Sequence, residues 1–159
     1  GRIPMATSAN CLQPDGQNDN DWNQGLLFLN QSKAWLQPPG YVTQMFSHQF
    51  LPKVVPCQVT DGNGNLDATA KRSDDGKTLT LQAVNPTDQP LIAQIAVSGF
   101  VPKKSVARAV ELSAPLSAEN SADQPDTVVP KTASWTHGLK SGATRFTFAA
   151  HSITILRFE

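Results

Sequence analysis

The sequence predicts a mainly β chain, in which a jelly-roll-like antiparallel β-sandwich follows a short strand–loop–strand–helix segment. From residue 51 onward, short strand patterns alternate with turn residues, which is typical of antiparallel sandwiches. Charged residues make up only 16% of the 159 residues, and the chain contains 12 Pro and 10 Gly. This composition favours strands and turns over helices. The strongest helical pattern lies at residues 41–50.

The first 50 residues have the pattern of an α/β layer. Residues 3–9 are small and apolar, as in a short buried strand, and residues 25–29 form an apolar run typical of a strand covered on both faces. Residues 41–50 place apolar side chains at three- and four-residue spacing. Gly40 is the predicted N-cap of this helix, and Pro52 prevents its continuation. Because this part is too small to bury its own apolar runs, we expect the chain to be a fragment of something larger.

The later part of the chain predicts a series of strands separated by turns. They lie at residues 54–59, 66–73, 77–85, 91–97, 104–112, 132–136, 143–148 and 152–158. Pro56 marks the strand at 54–59 as an edge or bulged strand, and Asp74-Asp75-Gly76 predicts a hairpin turn. Alternation of apolar and polar residues from 77 to 85 predicts a half-exposed strand.

Two later segments carry more specific expectations. Residues 113–130 are rich in Ser, Ala, Asp and Pro without periodicity, and so long a loop is uncommon within a compact domain. It is either a flexible connection or an ordered one draped over the sheet. In the last strand, Ile153 and Ile155 face one way while Thr154, Leu156 and Phe158 face the other, which predicts burial on both faces.

The most polar stretch, residues 10–24, contains four Asn, three Gln, three Asp and one Trp. Carboxamides both donate and accept hydrogen bonds, and an indole has a flat apolar face with a polar edge. This chemistry suits sugars. The same residues are also ordinary turn formers, and composition alone slightly favours a solvated, turn-rich loop.

Charge and motif content exclude several classes of function. Acidic and basic residues balance at 13 each, which gives no electrostatic case for nucleic acid or an anionic membrane surface. No apolar run approaches the roughly 20 residues that span a bilayer. Cys11 and Cys57 form either one disulfide or, as we favour, two isolated buried thiols. The scattered histidines lack metal-ligand spacing, and nothing in the sequence implies a cofactor.

An autonomous hydrolase is not expected from this sequence. Carbohydrate hydrolysis normally uses two carboxylates about 5–9.5 Å apart. The three glutamates, Glu111, Glu119 and Glu159, have no obvious partner, and the aspartates between residues 15 and 21 read as turn formers. We therefore assign no catalytic residue within this chain.

Several motifs together resemble a known family. Met-Ala-Thr-Ser-Ala-Asn stands at 5–10, Gln-Asn-Asp-Asn-Asp-Trp-Asn-Gln-Gly at 17–25 and Trp-Leu-Gln-Pro-Pro-Gly-Tyr-Val-Thr-Gln-Met at 35–45; later come Leu-Thr-Leu-Gln-Ala-Val-Asn at 79–85, a long loop with Asn120, Pro125 and Val129-Pro130, and His-Ser-Ile-Thr-Ile-Leu at 151–156. The first three resemble the end of the catalytic barrel in α-L-arabinofuranosidases of glycoside hydrolase family 51. The others resemble that family's C-terminal sandwich. The resemblance covers essentially the whole chain.

This resemblance implies a division of the chain into two parts. Residues 1–50 would be the terminal strand, active-site loop and helix of a (β/α)8 barrel, and residues 51–159 the C-terminal β-sandwich domain. Residues 5–10 would form the eighth barrel strand and residues 41–50 the eighth helix. The loop 11–24 would then lie at the C-terminal face of the barrel, where such enzymes place their sites.

The resemblance also implies the substrate-binding residues Gln24, Trp22 and Asn10. Gln24 matches a family glutamine that hydrogen-bonds arabinose in the −1 subsite, and Trp22 would stack on the sugar, wall the pocket or lie buried under the barrel rim. Relatives often carry Gly-Trp-Asp-Gln where this chain has Asp-Trp-Asn-Gln at 21–24, so Gln24 is kept while the local shape of the loop differs. The two catalytic glutamates of the family belong to earlier barrel strands.

The implied reaction of the parent enzyme is retaining, exo-acting hydrolysis of terminal α-L-arabinofuranosyl groups from hemicellulose or pectin side chains. Its partner would be an arabinose-containing polysaccharide or oligosaccharide, its assembly a homo-oligomer, and its location periplasmic or extracellular. Three alternatives stay open. They are a carbohydrate-binding module with Trp22, Trp35 or Trp135 as platform, a purely structural or oligomerisation domain, and a parent that is an endoglucanase of the same family.

Overall fold

The computed structural model describes residues 10–17, 25–60 and 64–159, and these form a mainly β structure. A small sheet comes first and is followed by helix α1 (Pro38–His48). The strands of the described ranges are β1 (Leu12–Pro14), β2 (Leu27–Leu29), β3 (Ala34–Leu36), β4 (Lys53–Val55), β5 (Asp67–Arg72), β6 (Leu79–Asn85), β7 (Leu91–Ala96), β8 (Val106–Ser113), β9 (Lys131–Thr136), β10 (Ala143–Phe148) and β11 (Ser152–Phe158). A short 3-10 helix occupies Leu139–Ser141.

Two antiparallel sheets build the sandwich. The larger has six strands in the order β4-β5-β6-β11-β8-β9, and the smaller pairs β7 with β10. Strand β11 lies in the middle of the larger sheet, where Ser152 is opposite Asn85 of β6 on one side and Ser113 of β8 on the other. The predicted antiparallel β-sandwich is thus confirmed. Strand β4 lies at an edge, as the proline at position 56 predicts.

Strand β11 separates two apolar cores. Leu156 and Phe158 belong to a core that also contains Ile95 and Phe148 of the smaller sheet. Ile155, on the opposite face, belongs to a second core; its other buried members are Met45, Val110, Leu112 and Val128. The prediction that both faces of the last strand are buried is confirmed, because all three of these β11 side chains have no exposed surface.

Helix α1 begins three residues earlier than the sequence pattern predicts. Gln37, and not Gly40, is its N-cap, with extended angles of φ −85° and ψ 163°. The reason is local, since a proline disfavours helical angles in the residue before it while fitting the first helical turn itself. Pro38 and Pro39 therefore open the helix and push Gln37 into the cap position.

The far end of α1 also differs from the prediction. The helix ends at His48, and Phe50, expected on its apolar face, lies outside it and is 64% exposed. The Phe50 ring lies 5.5 Å from the Lys71 Nζ atom, and Lys71 is opposite Thr80 in the sheet. The segment that follows α1 therefore crosses this face of the six-stranded sheet.

Strand β6 is buried more completely than the alternation predicts. Thr80 and Gln82, expected at the surface, are both buried, as are Leu79 and Ala83 on the opposite face. The half-exposed strand was a wrong prediction because this sheet is covered on both faces rather than on one. The alternating pattern shows which residues are polar, but in this strand the polar residues Thr80 and Gln82 are buried as well.

The small first sheet corrects two expectations. Strand β1 lies inside the stretch 10–24, where a loop was predicted, and pairs in parallel with β2. The buried Gln13 side chain makes this possible, because its Oε1 accepts the Gly25 N–H at 3.1 Å. The run at 25–29 forms a shorter strand, β2, in which only Phe28 is buried. The prediction that this strand is covered on both faces is therefore also wrong. The strand predicted at 3–9 lies outside the described residues.

The remaining expectations have mixed outcomes. The hairpin turn at 74–76 is confirmed, with the Ser73 N–H donating to Thr78 O at 3.0 Å. Cys11 is exposed and Cys57 half-buried, with no disulfide between them, so the favoured picture of two buried thiols is wrong. Within the described ranges no helix has the length and apolarity to cross a bilayer.

Candidate functional site

Of the three predicted substrate-binding residues, the described part of the chain includes only Asn10. Asn10 is exposed, with a left-handed φ of 54°, and its carbonyl oxygen accepts the Leu26 N–H at 3.3 Å. Gln24 and Trp22 lie outside the described residues. The grouping of these three side chains around one sugar therefore stays a prediction.

The backbone on both sides of residues 18–24 is held by the β1–β2 pairing. The Leu27 N–H donates to Cys11 O at 2.9 Å, and the Asp15 N–H donates to Leu29 O at 2.8 Å. The two paired strands thus fix the backbone on either side of residues 18–24.

Gly25, the residue that follows Gln24 in the sequence, has no room for a side chain. A Cβ atom there would lie 2.6 Å from the Gln13 Cβ and 2.8 Å from the Phe28 ring. The Gln13 side chain also holds the Gly25 N–H. This position is therefore tightly fixed, and the requirement for glycine agrees with its place in the motif at 17–25.

A buried hydrogen-bond network, which we call the Asn120 clasp, joins the long loop to the segment before α1. The Gln37 side chain holds the Asn120 backbone twice: Nε2 donates to its carbonyl at 2.6 Å, and Oε1 accepts its N–H at 3.0 Å. The Asn120 side chain donates to Leu36 O and Val128 O and accepts the Val128 N–H. The same carbonyl of Asn120 accepts the Trp35 Nε1–H at 3.1 Å.

The clasp decides between the two interpretations of the segment 113–130. Asn120 is only 2% exposed, Val128 belongs to the second core, and Tyr41 of α1 packs against that core. Burial, followed by the nearby Asp126 carboxylate, raises the pKa of Tyr41. The segment is therefore an ordered connection that covers the sheet beside α1.

Two of the tryptophans considered as sugar platforms, Trp35 and Trp135, are packed against other parts of the fold. Trp35 is 4% exposed, and its indole N–H is used in the clasp. Trp135 is half-buried, with Phe146 4.9 Å and His137 5.8 Å away between ring centroids. A binding platform needs an open aromatic face, so Trp35 is excluded from that role, and Trp135 is a member of an aromatic cluster. Trp22 lies outside the described residues.

A second buried amide, that of Asn85, lies at the end of β6. The Asn85 Nδ2 donates to Gln89 O and Ala149 O at 2.9 and 2.7 Å, and its Oδ1 accepts both the N–H and the hydroxyl of Thr87. Asn85 is 1% exposed. The last residue of the motif at 79–85 therefore ties two turns together rather than meeting a ligand.

None of the three glutamates has a second carboxylate among the contacts that the structure gives it. Glu111 Oε2 accepts the Thr154 hydroxyl at 3.0 Å. Hydrogen bonds from Lys104, and then from Arg157, lower the pKa of Glu159. Glu119 is exposed. Within the described ranges, no group of three or more His, Cys, Asp and Glu could hold a metal ion.

A cavity of about 390 Å³, which sequence patterns did not indicate, lies where α1, the end of β8 and the long loop meet. Its polar wall is formed by Glu119 and by His151, whose Nε2 lies 2.7 Å from Asp88. Gly25 lines one side. The rest of the lining is mainly apolar, with no pair of facing carboxylates among the residues that surround it.

Fold and contacts together define a class of protein: an antiparallel β-sandwich whose long loop is clasped to the small first sheet and the start of α1. Residues 2–152 match the model of the α-L-arabinofuranosidase C-terminal domain family. The chain belongs to this family, which confirms the resemblance described above. A search of curated protein sequences gave no match.

Several solved arabinofuranosidases share this fold. The arabinose-bound α-L-arabinofuranosidase MgGH51 superposes with a TM-score of 0.81 at 17% identity, covering 94% of this chain and 23% of that one. The α-L-arabinofuranosidase of Thermotoga maritima, in an arabinose complex, gives 0.76 at 22% identity, covering 86% and 32%. The thermostable GH51 enzyme of Thermotoga petrophila RKU-1 gives 0.75 with the same identity and coverage. This chain therefore spans between about a quarter and a third of their length.

Proposed function

We propose that this chain is the C-terminal part of a retaining, exo-acting α-L-arabinofuranosidase, which releases terminal arabinofuranosyl residues from hemicellulose or pectin side chains. The family match over residues 2–152 carries the proposal. The chain alone is inactive, because hydrolysis needs a pair of carboxylates that we assign to another part of the enzyme. The longer enzyme is a homo-oligomer located where polysaccharide is degraded, in the periplasm or outside the cell.

Within this enzyme, residues 1–50 complete the catalytic barrel and residues 51–159 form the accessory sandwich. The Asn120 clasp supports this division of labour, because it joins the segment before α1 to the long loop of the sandwich through four hydrogen bonds. A sandwich fixed in this way stabilises the last barrel helix, and with it the loop that carries the substrate-binding residues.

Gln24 hydrogen-bonds the arabinose, Trp22 contacts or walls the sugar, and Asn10 lies at the start of the same loop. A carboxamide suits a sugar because it donates to one hydroxyl and accepts from the next. The tight packing of Gly25 supports the role of Gln24, since it fixes the backbone directly beside that residue.

A variant of Gln24 tests this assignment in the longer enzyme. Gln24→Ala removes the hydrogen bonds to the sugar, and we expect kcat/KM for an aryl α-L-arabinofuranoside to fall about 10- to 100-fold while the melting temperature stays unchanged. Gln44→Ala, on the exposed side of α1, is the matched control. Equal kcat/KM for the two variants would remove Gln24 from the substrate site.

The alternative of a carbohydrate-binding module is weaker, because Trp35 is enclosed and Trp135 packs against other rings. Titration of arabinoxylan or arabinan, followed by Trp fluorescence, separates the two functions. Saturable binding that is lost in Trp135→Ala would favour the binding module, whereas we expect Trp135→Ala to leave the titration unchanged.

A further inference from the structure

A second cavity, remote in sequence from the stretch 10–24, lies between the β5–β6 hairpin and the β7–β8 connection. Its volume is about 330 Å³, and we call it the basic cavity. Its lining consists of Arg72, Gly76, Lys77, Gly99, Phe100, Val101 and Lys103. Three cations thus surround one cavity, and its lining contains no carboxylate.

Arg72 is positioned rigidly but keeps unused donors. Its Nε and Nη2 both donate to the Gly76 carbonyl, at 3.1 and 3.0 Å, and its guanidinium carbon lies 5.6 Å from the centroid of the Phe100 ring. An arginine has five N–H groups, so three of them remain for a ligand. A planar guanidinium held in this way is suited to a carboxylate.

The neighbouring charges leave the cavity positive. Lys103 has no ion pair or hydrogen bond among the described residues, whereas Lys77 lies 3.4 Å from Asp75. Hydrogen bonds from Ser73 and from the Lys77 backbone hold the pKa of Asp75 at about 2, so this carboxylate is ionised and balances Lys77. Lys104 is paired with Glu159, which also contacts Arg157. Arg72 and Lys103 therefore remain as two uncompensated cations.

The rest of the lining suits a sugar ring. The cavity volume is at the lower end of the range for small-molecule sites. Val101 is 73% exposed at the rim, whereas Phe100 is buried and packs beneath the Arg72 guanidinium. At Gly99, where φ is 73°, no atom lies within 4 Å of the position that a Cβ would take, so this side of the rim is open.

We propose that the basic cavity binds a uronic acid residue of an acidic polysaccharide, with the carboxylate between Arg72 and Lys103 and the pyranose ring along the open rim at Gly99 and Val101. The choice of a uronate over other anions rests on the proposed function, because hemicelluloses and pectins carry such residues beside their arabinose. The site would hold the enzyme on acidic regions of its substrate, away from the bond that is cut.

Titration of the 159-residue chain with methyl glucuronide, followed by amide NMR shifts at low ionic strength, tests the proposal. We expect saturable shifts at Gly76, Gly99 and Val101. Methyl glucoside and the methyl ester of the glucuronide, which lack the charge, should produce none. Lys103→Ala should weaken binding about tenfold, the size of one charged hydrogen bond. Lys131→Ala removes an equal charge from exposed β9 and serves as the control.

Three results would overturn the proposal. Methyl glucoside or the ester could shift the same amides, inorganic phosphate could saturate the site at the same or a lower concentration than the glucuronide, or Lys103→Ala and Lys131→Ala could bind the glucuronide equally. This titration involves no hydrolysis, so its failure leaves the arabinofuranosidase assignment in place. If the chain bound the glucuronide but the longer enzyme had no arabinofuranosidase activity, the basic cavity would remain a uronate site. Only its connection to arabinose-bearing polysaccharides would be lost.

Discussion

Two buried asparagines hold the connections of this sandwich in place. Asn120 and Asn85 each use both ends of the side-chain amide, and both are almost without exposed surface. A buried amide is stabilising when its hydrogen bonds are complete, and costly when a partner is removed. Single residues therefore determine whether the long loop and the turn after β6 remain ordered.

Replacement of Asn120 by alanine should lower the free energy of unfolding by about 3 kcal/mol, because it leaves buried partners such as the Val128 N–H without an acceptor. Gln124→Ala, an exposed change in the same loop, should stay within about 0.5 kcal/mol. Urea unfolding of both variants measures the difference. Similar midpoints would show that the clasp contributes little.

His137 should make stability depend on pH. Burial, and secondarily the charge of Lys140, lowers the pKa of His137 below the ordinary 6.5. As pH falls through 6.5 toward the lower folded value, the unfolded chain takes up this proton first. The free energy of unfolding therefore decreases as pH falls across that window. Above pH 6.5 the contribution of neutral His137 to stability is complete.

The variant His137→Asn isolates this effect, because a carboxamide oxygen can replace Nδ1 as acceptor of the Leu139 N–H. Urea midpoints on either side of pH 6.5 should differ less in the variant than in the original chain. An unchanged difference between the two pH values would show that His137 does not carry the dependence.

At the scale of elements, helix α1 and its entry are the parts most constrained by close packing. A Cβ on Gly40 would lie 2.5 Å from the Leu26 carbonyl oxygen and 2.8 Å from Leu36 Cδ2. The helix can approach the first sheet this closely only because that residue has no side chain.

Gly40→Ala should therefore destabilise the chain by about 2 kcal/mol, as overpacking does, although alanine is the better helix former by about 1 kcal/mol. Ser47→Ala, on the exposed side of the same helix, should be neutral or stabilise by about 0.5 kcal/mol. Thermal unfolding distinguishes them. A stabilised Gly40→Ala variant would mean that α1 moves away from Leu26 without cost.

The elements that sequence patterns predicted well are those with local signals. The strands at 143–148 and 152–158 have the expected bounds because turn residues delimit strand-forming runs. Strand β1 was missed because its short Leu-Gln-Pro run lies among turn formers and is stabilised by the buried Gln13 side chain. The start of α1 was missed because the Pro-Pro pair was read as a break rather than as a first turn.

The candidate site was less predictable than the fold. Gln37 and Asn120 are 83 positions apart, and no local pattern connects residues at that separation. The resemblance included both of them in its motifs without giving either a role. The basic cavity was missed for a similar reason, because its cations come from one hairpin and from the connection that follows another strand.

At the scale of the whole molecule, the six-stranded sheet is a central layer with an apolar core on each face. One core lies against the smaller sheet and is internal to the sandwich. The other lies against α1 and the long loop, which is the side where we propose that the catalytic barrel continues. Elements of this chain thus cover both faces of the sheet.

The most direct test of this account is the hydrolysis of an aryl α-L-arabinofuranoside and of β-glucan, measured side by side for the 159-residue chain and for the longer enzyme. We predict that the longer enzyme cleaves the arabinofuranoside and leaves β-glucan intact, while the 159-residue chain cleaves neither. Cleavage of β-glucan without turnover of the arabinofuranoside by the longer enzyme would contradict the central claim.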